Sequence, residues 1–216
     1  MSAPTFLPYG DAGVLVEVDD TAAVLRWSDA LQAHRPAGVA EIVPAARTLL
    51  VVAEPGADLT ELRSALGALD VPNSGAVEDA GPDAEVIEIP VHYDGPDLAD
   101  VAQLTGLSED EVVAAHTGEP WRVAFGGFAP GFGYLSGGDP RLEVPRRDEP
   151  RTRVPAGAVG LAGTSSGVYP RESPGGWQLI GTTDVALWDL DRDPPALLRQ
   201  GALVQFTVAQ SPGAQR

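Results

Sequence analysis

The chain has 216 residues, enough for one large domain or two small ones, and carries 14 basic against 31 acidic side chains, a net charge of −17. That balance repels phosphate backbones and anionic lipid, so neither nucleic acid nor a membrane surface is expected as a partner. All 14 basic residues are arginine and cysteine is absent, which excludes a lysine Schiff base, a P-loop lysine, a thiol nucleophile, disulfides and the usual structural zinc sites.

The stretch from Met1 to Asp11 has no basic start and no long apolar run, and nowhere do 18 apolar residues follow one another, so a cytoplasmic address is expected. From Thr5 to Asp70 the apolar period predicts two short strands, a helix, two more strands and a second helix, an α+β unit. Val24, Trp27 and Leu31 recur at helical spacing behind Asp19 and Asp20, which predicts a capped helix from about Thr21 to His34, ended by Pro36. Glu41–Val43 and Thr48–Ala53 read as strands. The second helix begins at Asp58, with Leu59, Leu62, Leu66 and Leu69 on one face.

Val71–Ala84, rich in turn formers and acids, reads as a linker, so domains are expected over 1–75 and 85–216. A strand over Val86–Tyr93 and two short helices follow, the second opening with Ser108 and Glu111 in capping-box register. From Trp121 onward, short apolar runs alternate with Gly and Pro turns, the pattern of a small β-barrel or sandwich.

Seven of the 14 arginines lie between Arg122 and Arg171, against four acids, so this region is locally +3 while the remainder carries −20. Guanidinium forks suit an anionic small ligand or an acidic partner surface. Taken singly, each arginine is also accounted for by a solvated pair with Asp148 or Glu149. The same region holds GGFAPGFGYLSGG (126–138) and YPRESPGGW (169–177), where glycine and proline shape the backbone and let a ligand approach. Phe125 and Phe132 are expected to fill the core, whereas Tyr134, Tyr169 and Trp177, flanked by turns, are candidate pocket walls.

Gly163, Ser165 and Gly167 fit the spacing of a nucleophile elbow, but Pro170 forbids the helix such an elbow requires. His34 reads as a helix end, and neither His92 nor His116 sits in a metal or triad spacing, so no metal site is expected. His116, just ahead of the arginine-rich segment, is the histidine best placed to do chemistry. Asp11 reads as a turn aspartate.

The run from Phe128 to Thr183, FAPGFGYLSGGDPRLEVPRRDEPRTRVPAGAVGLAGTSSGVYPRESPGGWQLIGTT, together with YGDAGVLVEV at 9–18, resembles the 5-oxoprolinase B-subunit family, also described as allophanate hydrolase subunit 1 and including a sporulation kinase inhibitor. Two places depart from the family pattern: Thr182 stands where an arginine is expected, and Gln200-Gly201-Ala202 where Pro-Gly-Asp is expected. The resemblance implies an α+β N-terminal domain followed by a mainly β, cyclophilin-like barrel related to the carboxyltransferase-type domain of urea carboxylase. It implies ATP-dependent opening of 5-oxo-L-proline to L-glutamate, with ATP and its magnesium as co-substrate at a site shared with a partner. The partners implied are a second carboxyltransferase-like subunit and a lactam-utilisation subunit. Histidine-kinase inhibition and allophanate processing are the alternative functions within the family. On this reading His116, Arg146 and Arg151 are the candidate catalytic residues. Phe128, Pro130, Gly131, Tyr134, Tyr169, Ser173, Gly175, Gly176 and Trp177 are the candidate substrate contacts.

Overall fold

The computed structural model describes residues 3–72 and 86–209, and the linker expected over 71–84 lies almost wholly outside them. The chain divides into two compact units, Met1–Asp79 and Ala80–Arg216.

In the first unit, strands β1 (Thr5–Tyr9), β2 (Gly13–Glu17), β3 (Val39–Pro44) and β4 (Thr48–Ala53) form an antiparallel sheet in the order β1-β2-β4-β3. Helix α1 (Thr21–Ala33) starts where the Asp20 carboxylate accepts from the Ala23 N–H at 2.7 Å. Helix α2 (Leu59–Gly67) starts where Asp58 accepts from Thr60 and Glu61. Val14 and Val16 of β2, Leu49 and Val51 of β4, Trp27 and Leu31 of α1, and Leu62 and Leu66 of α2 share one core. The alternation of the strands and the helical stripe thus point at the same volume.

The second unit is built on a seven-stranded sheet of β5 (Val86–Val91), β6 (Trp121–Gly126), β7 (Gly133–Ser136), β9 (Ala158–Ala162), β10 (Ser165–Val168), β12 (Gln178–Thr182) and β13 (Leu203–Val208). Its order is β12-β9-β10-β7-β6-β13-β5, antiparallel throughout except that β13 runs parallel to β5. A bridge between His92 and Thr182 brings the two edge strands together, so the sheet is nearly closed into a barrel. Strands β8 (Arg151–Val154) and β11 (Ser173–Gly175) make a separate antiparallel ribbon in which Gly175 faces Arg151. Helices α3 (Leu98–Thr105) and α4 (Glu109–Gly118) pack their apolar residues into the barrel core, α4 opening with the expected Ser108–Glu111 capping box. The α+β unit and the mainly β barrel read from the sequence are both present.

Closure continues past His92. The Gly95 N–H donates to the Ile180 carbonyl, and the Asp97 N–H donates to the Leu179 carbonyl at 2.9 Å. Leu179 returns its own N–H to the Asp97 carboxylate at 2.6 Å. Gly95 allows this approach because a Cβ there would lie 2.3 Å from the Ile180 carbonyl carbon.

Candidate functional site

Asp97 occupies the N-cap position of α3 yet makes no side-chain cap bond. Its carboxylate is turned inward, 2% exposed, and Oδ1 accepts from Arg147 Nη1 at 2.7 Å and from Arg151 Nη2 at 2.6 Å. The other oxygen holds the Leu179 N–H. Among the described residues Asp97 is the only buried carboxylate. The counter-charge for this part of the arginine cluster therefore comes from 50 residues upstream of Arg147. Asp148 and Glu149, the neighbours in sequence, are exposed and form no ion pair with the arginines among the described residues. Arg153 pairs with Glu172 and Arg141 with Asp139, both on the surface, where such pairs contribute little.

Around this triad the β8–β11 ribbon assembles several of the residues singled out in the sequence. Arg151 and Gly175 are paired in register, and the Gly176 carbonyl accepts the Arg147 N–H at 2.8 Å. Tyr169 is 2% exposed, and its hydroxyl lies within the fields of Arg146 and Arg151. Burial is the largest influence on that hydroxyl and raises its pKa. Gly175 is required here, since a Cβ would sit 2.2 Å from the Tyr169 hydroxyl. Arg146 is exposed and has no ion-pair partner among the described residues. Ser173 is buried, with its hydroxyl donating to the Arg171 carbonyl.

The aromatics form one packed group. Phe132 meets Tyr134, Tyr169 and Trp177 edge-on, with ring centroids 5.0, 5.6 and 5.5 Å away. Phe125 stacks on Tyr134 at 4.4 Å. Tyr169 and Trp177, expected as pocket walls, are buried with Phe132 in a second small core, and Gly160 and Gly167 make the room that Trp177 needs. The ring left in solvent is Phe128, which is 54% exposed and lies edge-on to Phe132 and Tyr169. Its φ of +63° makes it the sole non-glycine residue with positive φ among the described residues. Pro130 is exposed and Gly131, with φ +84°, lies against Leu187 and Trp188, so the 128–131 loop flanks the aromatic group.

His116 is not part of this assembly. It is wholly buried in the barrel core, with Nδ1 2.8 Å from the Tyr93 hydroxyl, Nε2 2.8 Å from the Ser166 hydroxyl, and its ring stacked on Phe206 at 4.2 Å. Desolvation pushes its pKa down to about 3, so the ring is neutral. The same burial raises the Tyr93 hydroxyl well above its ordinary range. Ser165, the centre of the elbow-like spacing, begins strand β10, and no helix follows it. Thr182, at the position where the family pattern has an arginine, donates to Asp94 at 3.0 Å beside the barrel closure.

The family described as "Carboxyltransferase domain, subdomain C and D" matches residues 4–198. The chain is 53% identical over 135 residues, 61% of its length, to the 5-oxoprolinase B subunit of Escherichia coli O157:H7. The matched stretches span 55–62% of the length of three curated relatives, all of that name. The structure of the conserved uncharacterized protein PH0987 from Pyrococcus horikoshii is 37% identical, with a TM-score of 0.56 over 95% of this chain and 97% of that one. Kluyveromyces lactis urea carboxylase, 18% identical, shares the fold over 96% of this chain and 22% of its own, with a TM-score of 0.67. This chain belongs to the carboxyltransferase domain, subdomain C and D family.

Proposed function

We propose that the protein is the B-type subunit of an ATP-dependent 5-oxoprolinase that opens 5-oxo-L-proline to L-glutamate in the cytoplasm. The observation that carries this reading is the 53% identity to a 5-oxoprolinase B subunit over a stretch of 135 residues. The arginine and aromatic groups support it chemically, because the substrate is a small ring with one carboxylate.

A lactam carbonyl is a poor electrophile. In the proposed reaction its oxygen takes the terminal phosphoryl group of ATP and ADP leaves. Water adds to the activated carbon, the ring C–N bond breaks to free the amine, and a second water releases phosphate from the resulting acyl phosphate. Arg146 and Arg151 are proposed to bind the substrate carboxylate or the transferred phosphoryl group, with Phe128 and Tyr134 against the ring. Backbone N–H groups of Gly131, Gly175 and Gly176 are proposed as oxyanion donors, each such donor being worth about 3 kcal/mol where it has been measured. Asp97 is occupied by two guanidiniums, and no group of three His, Asp or Glu side chains converges among the described residues. ATP and its magnesium are proposed to bind at a site shared with a second carboxyltransferase-like subunit and a lactam-utilisation subunit.

Coexpression with those two subunits and an assay for glutamate and ADP release from 5-oxo-L-proline plus ATP tests the reading. Release that requires this chain is expected, and Arg146→Ala or Arg151→Ala should reduce it. A stable complex that releases neither product would overturn it.

A further inference from the structure

Two guanidiniums share one carboxylate oxygen at the edge of the barrel, and the charges do not cancel. Arg147 and Arg151 against Asp97 leave one positive charge beside a buried carboxylate. Nearby acids do not remove it, since Asp148 and Glu149 are exposed and unpaired with these arginines, and Glu172 is engaged by Arg153. The cluster is also poorly built as a structural ion network. Arg147 Nε and Arg151 Nη1 are buried without a hydrogen-bond partner, and buried ion clusters stabilise a fold only when charge and hydrogen bonds are both satisfied. Arg147 and Arg151 remain 31% and 23% exposed, so both can be reached from solvent.

We propose that Arg147 and Arg151, held side by side by the positioning residue Asp97, form a receptor for one carboxylate group of a small ligand. A carboxylate supplies a single negative charge, which matches the single positive one that Asp97 leaves uncompensated on the Arg147–Arg151 pair; within that pair a phosphate dianion would overshoot it. Asp97 is fixed independently of the arginines, because its second oxygen and its backbone N–H are both committed to Leu179. The guanidiniums are therefore preorganised before any ligand arrives, which lowers the ordering cost of binding. Arg147, which the sequence did not single out, becomes the specificity-determining arginine. That the carboxylate is the one on 5-oxo-L-proline rests on the function proposed above.

The full chain, isotopically labelled, is titrated with acetate, inorganic phosphate and 5-oxo-L-proline while the arginine Nε–Hε resonances are followed. Acetate and 5-oxo-L-proline are expected to shift Arg147 and Arg151, with phosphate weaker than either. Arg147→Gln leaves a one-to-one Asp97–Arg151 pair, so it should keep the denaturation midpoint while weakening acetate binding at least tenfold. Asp97→Asn, which keeps an acceptor for Leu179, should weaken it similarly, and Arg153→Ala should bind as the wild type does. The receptor is overturned if the wild type shows no shift at these arginines, if Arg147→Gln binds acetate as well as the wild type, or if phosphate binds more tightly than acetate. Acetate binding without tighter binding of 5-oxo-L-proline would support the receptor and count against the 5-oxoprolinase reading.

Discussion

Asp97 pairs with Leu179 as a strand residue would, its backbone N–H donating to the Leu179 carbonyl at 2.9 Å, but the return bond from the Leu179 N–H ends on its side chain at 2.6 Å. One residue thus completes the barrel closure and anchors two arginines. Asp97→Ala should destabilise the protein by roughly 3–5 kcal/mol, the range for breaking a buried ion pair, because it strips the Leu179 N–H and both guanidiniums of their acceptor. Asp97→Asn should lose less. Chemical denaturation of the two variants measures the difference.

The closure also depends on Gly95. A methyl group there would lie within 2.4 Å of the Leu179 and Ile180 backbone, which cannot swing aside, whereas at Gly175 it would meet the hydroxyl end of Tyr169. Both Gly95→Ala and Gly175→Ala should therefore be destabilising, by about 1–3 kcal/mol for overpacking, with Gly95→Ala the worse of the two. Equal losses in thermal unfolding would show that the barrel edge is softer than its contacts imply.

His116 makes stability depend on pH. In the unfolded chain an imidazole takes up a proton near pH 6.5, whereas the buried ring resists protonation down to about 3. The unfolded state therefore binds more protons in that window, and stability should fall with decreasing pH below about 6.5, by at most roughly 1.4 kcal/mol per unit. Unfolding followed between pH 7 and 4.5 should show this slope, and His116→Gln should flatten it. A slope unchanged by the substitution would mean that other groups govern the acid limb.

Phe128 holds a backbone conformation that costs an L-residue about 1–2 kcal/mol, and its ring stands in solvent. Phe128→Gly should relieve that strain and leave the unfolding temperature unchanged or higher. In the proposed 5-oxoprolinase complex it should raise the KM for 5-oxo-L-proline several-fold with little change in kcat. A fall in stability with KM unchanged would assign the ring to packing alone.

Much of the local structure is legible from spacing alone, because caps and apolar periods are short-range signals: Asp20, Asp58 and Ser108 each start the helix expected of them. The arginine cluster is legible as a charge imbalance, but its counter-ion is not. Nothing in the linear pattern marks Asp97, and only the curl of the chain past His92 turns it inward. Tyr169 and Trp177 read as open because turns flank them. They are closed because glycines on neighbouring strands leave space that a linear reading cannot see. The isolation of His116 from the arginines likewise follows from strands that meet only in three dimensions.

Strands β5 and β13 lie side by side and run the same way, Val86 opposite Leu203 and Val91 opposite Val208. The polypeptide therefore comes into the barrel at one rim and departs at the other. About five residue steps of roughly 3.3 Å separate those two levels, so a cut-and-rejoined version linking the end of β13 to the start of β5 must bridge roughly 17 Å. A two-residue turn, sufficient for an antiparallel pair, would pull one strand out of register. Circular permutation of this barrel thus requires a tether of roughly six residues or more laid along its outside wall.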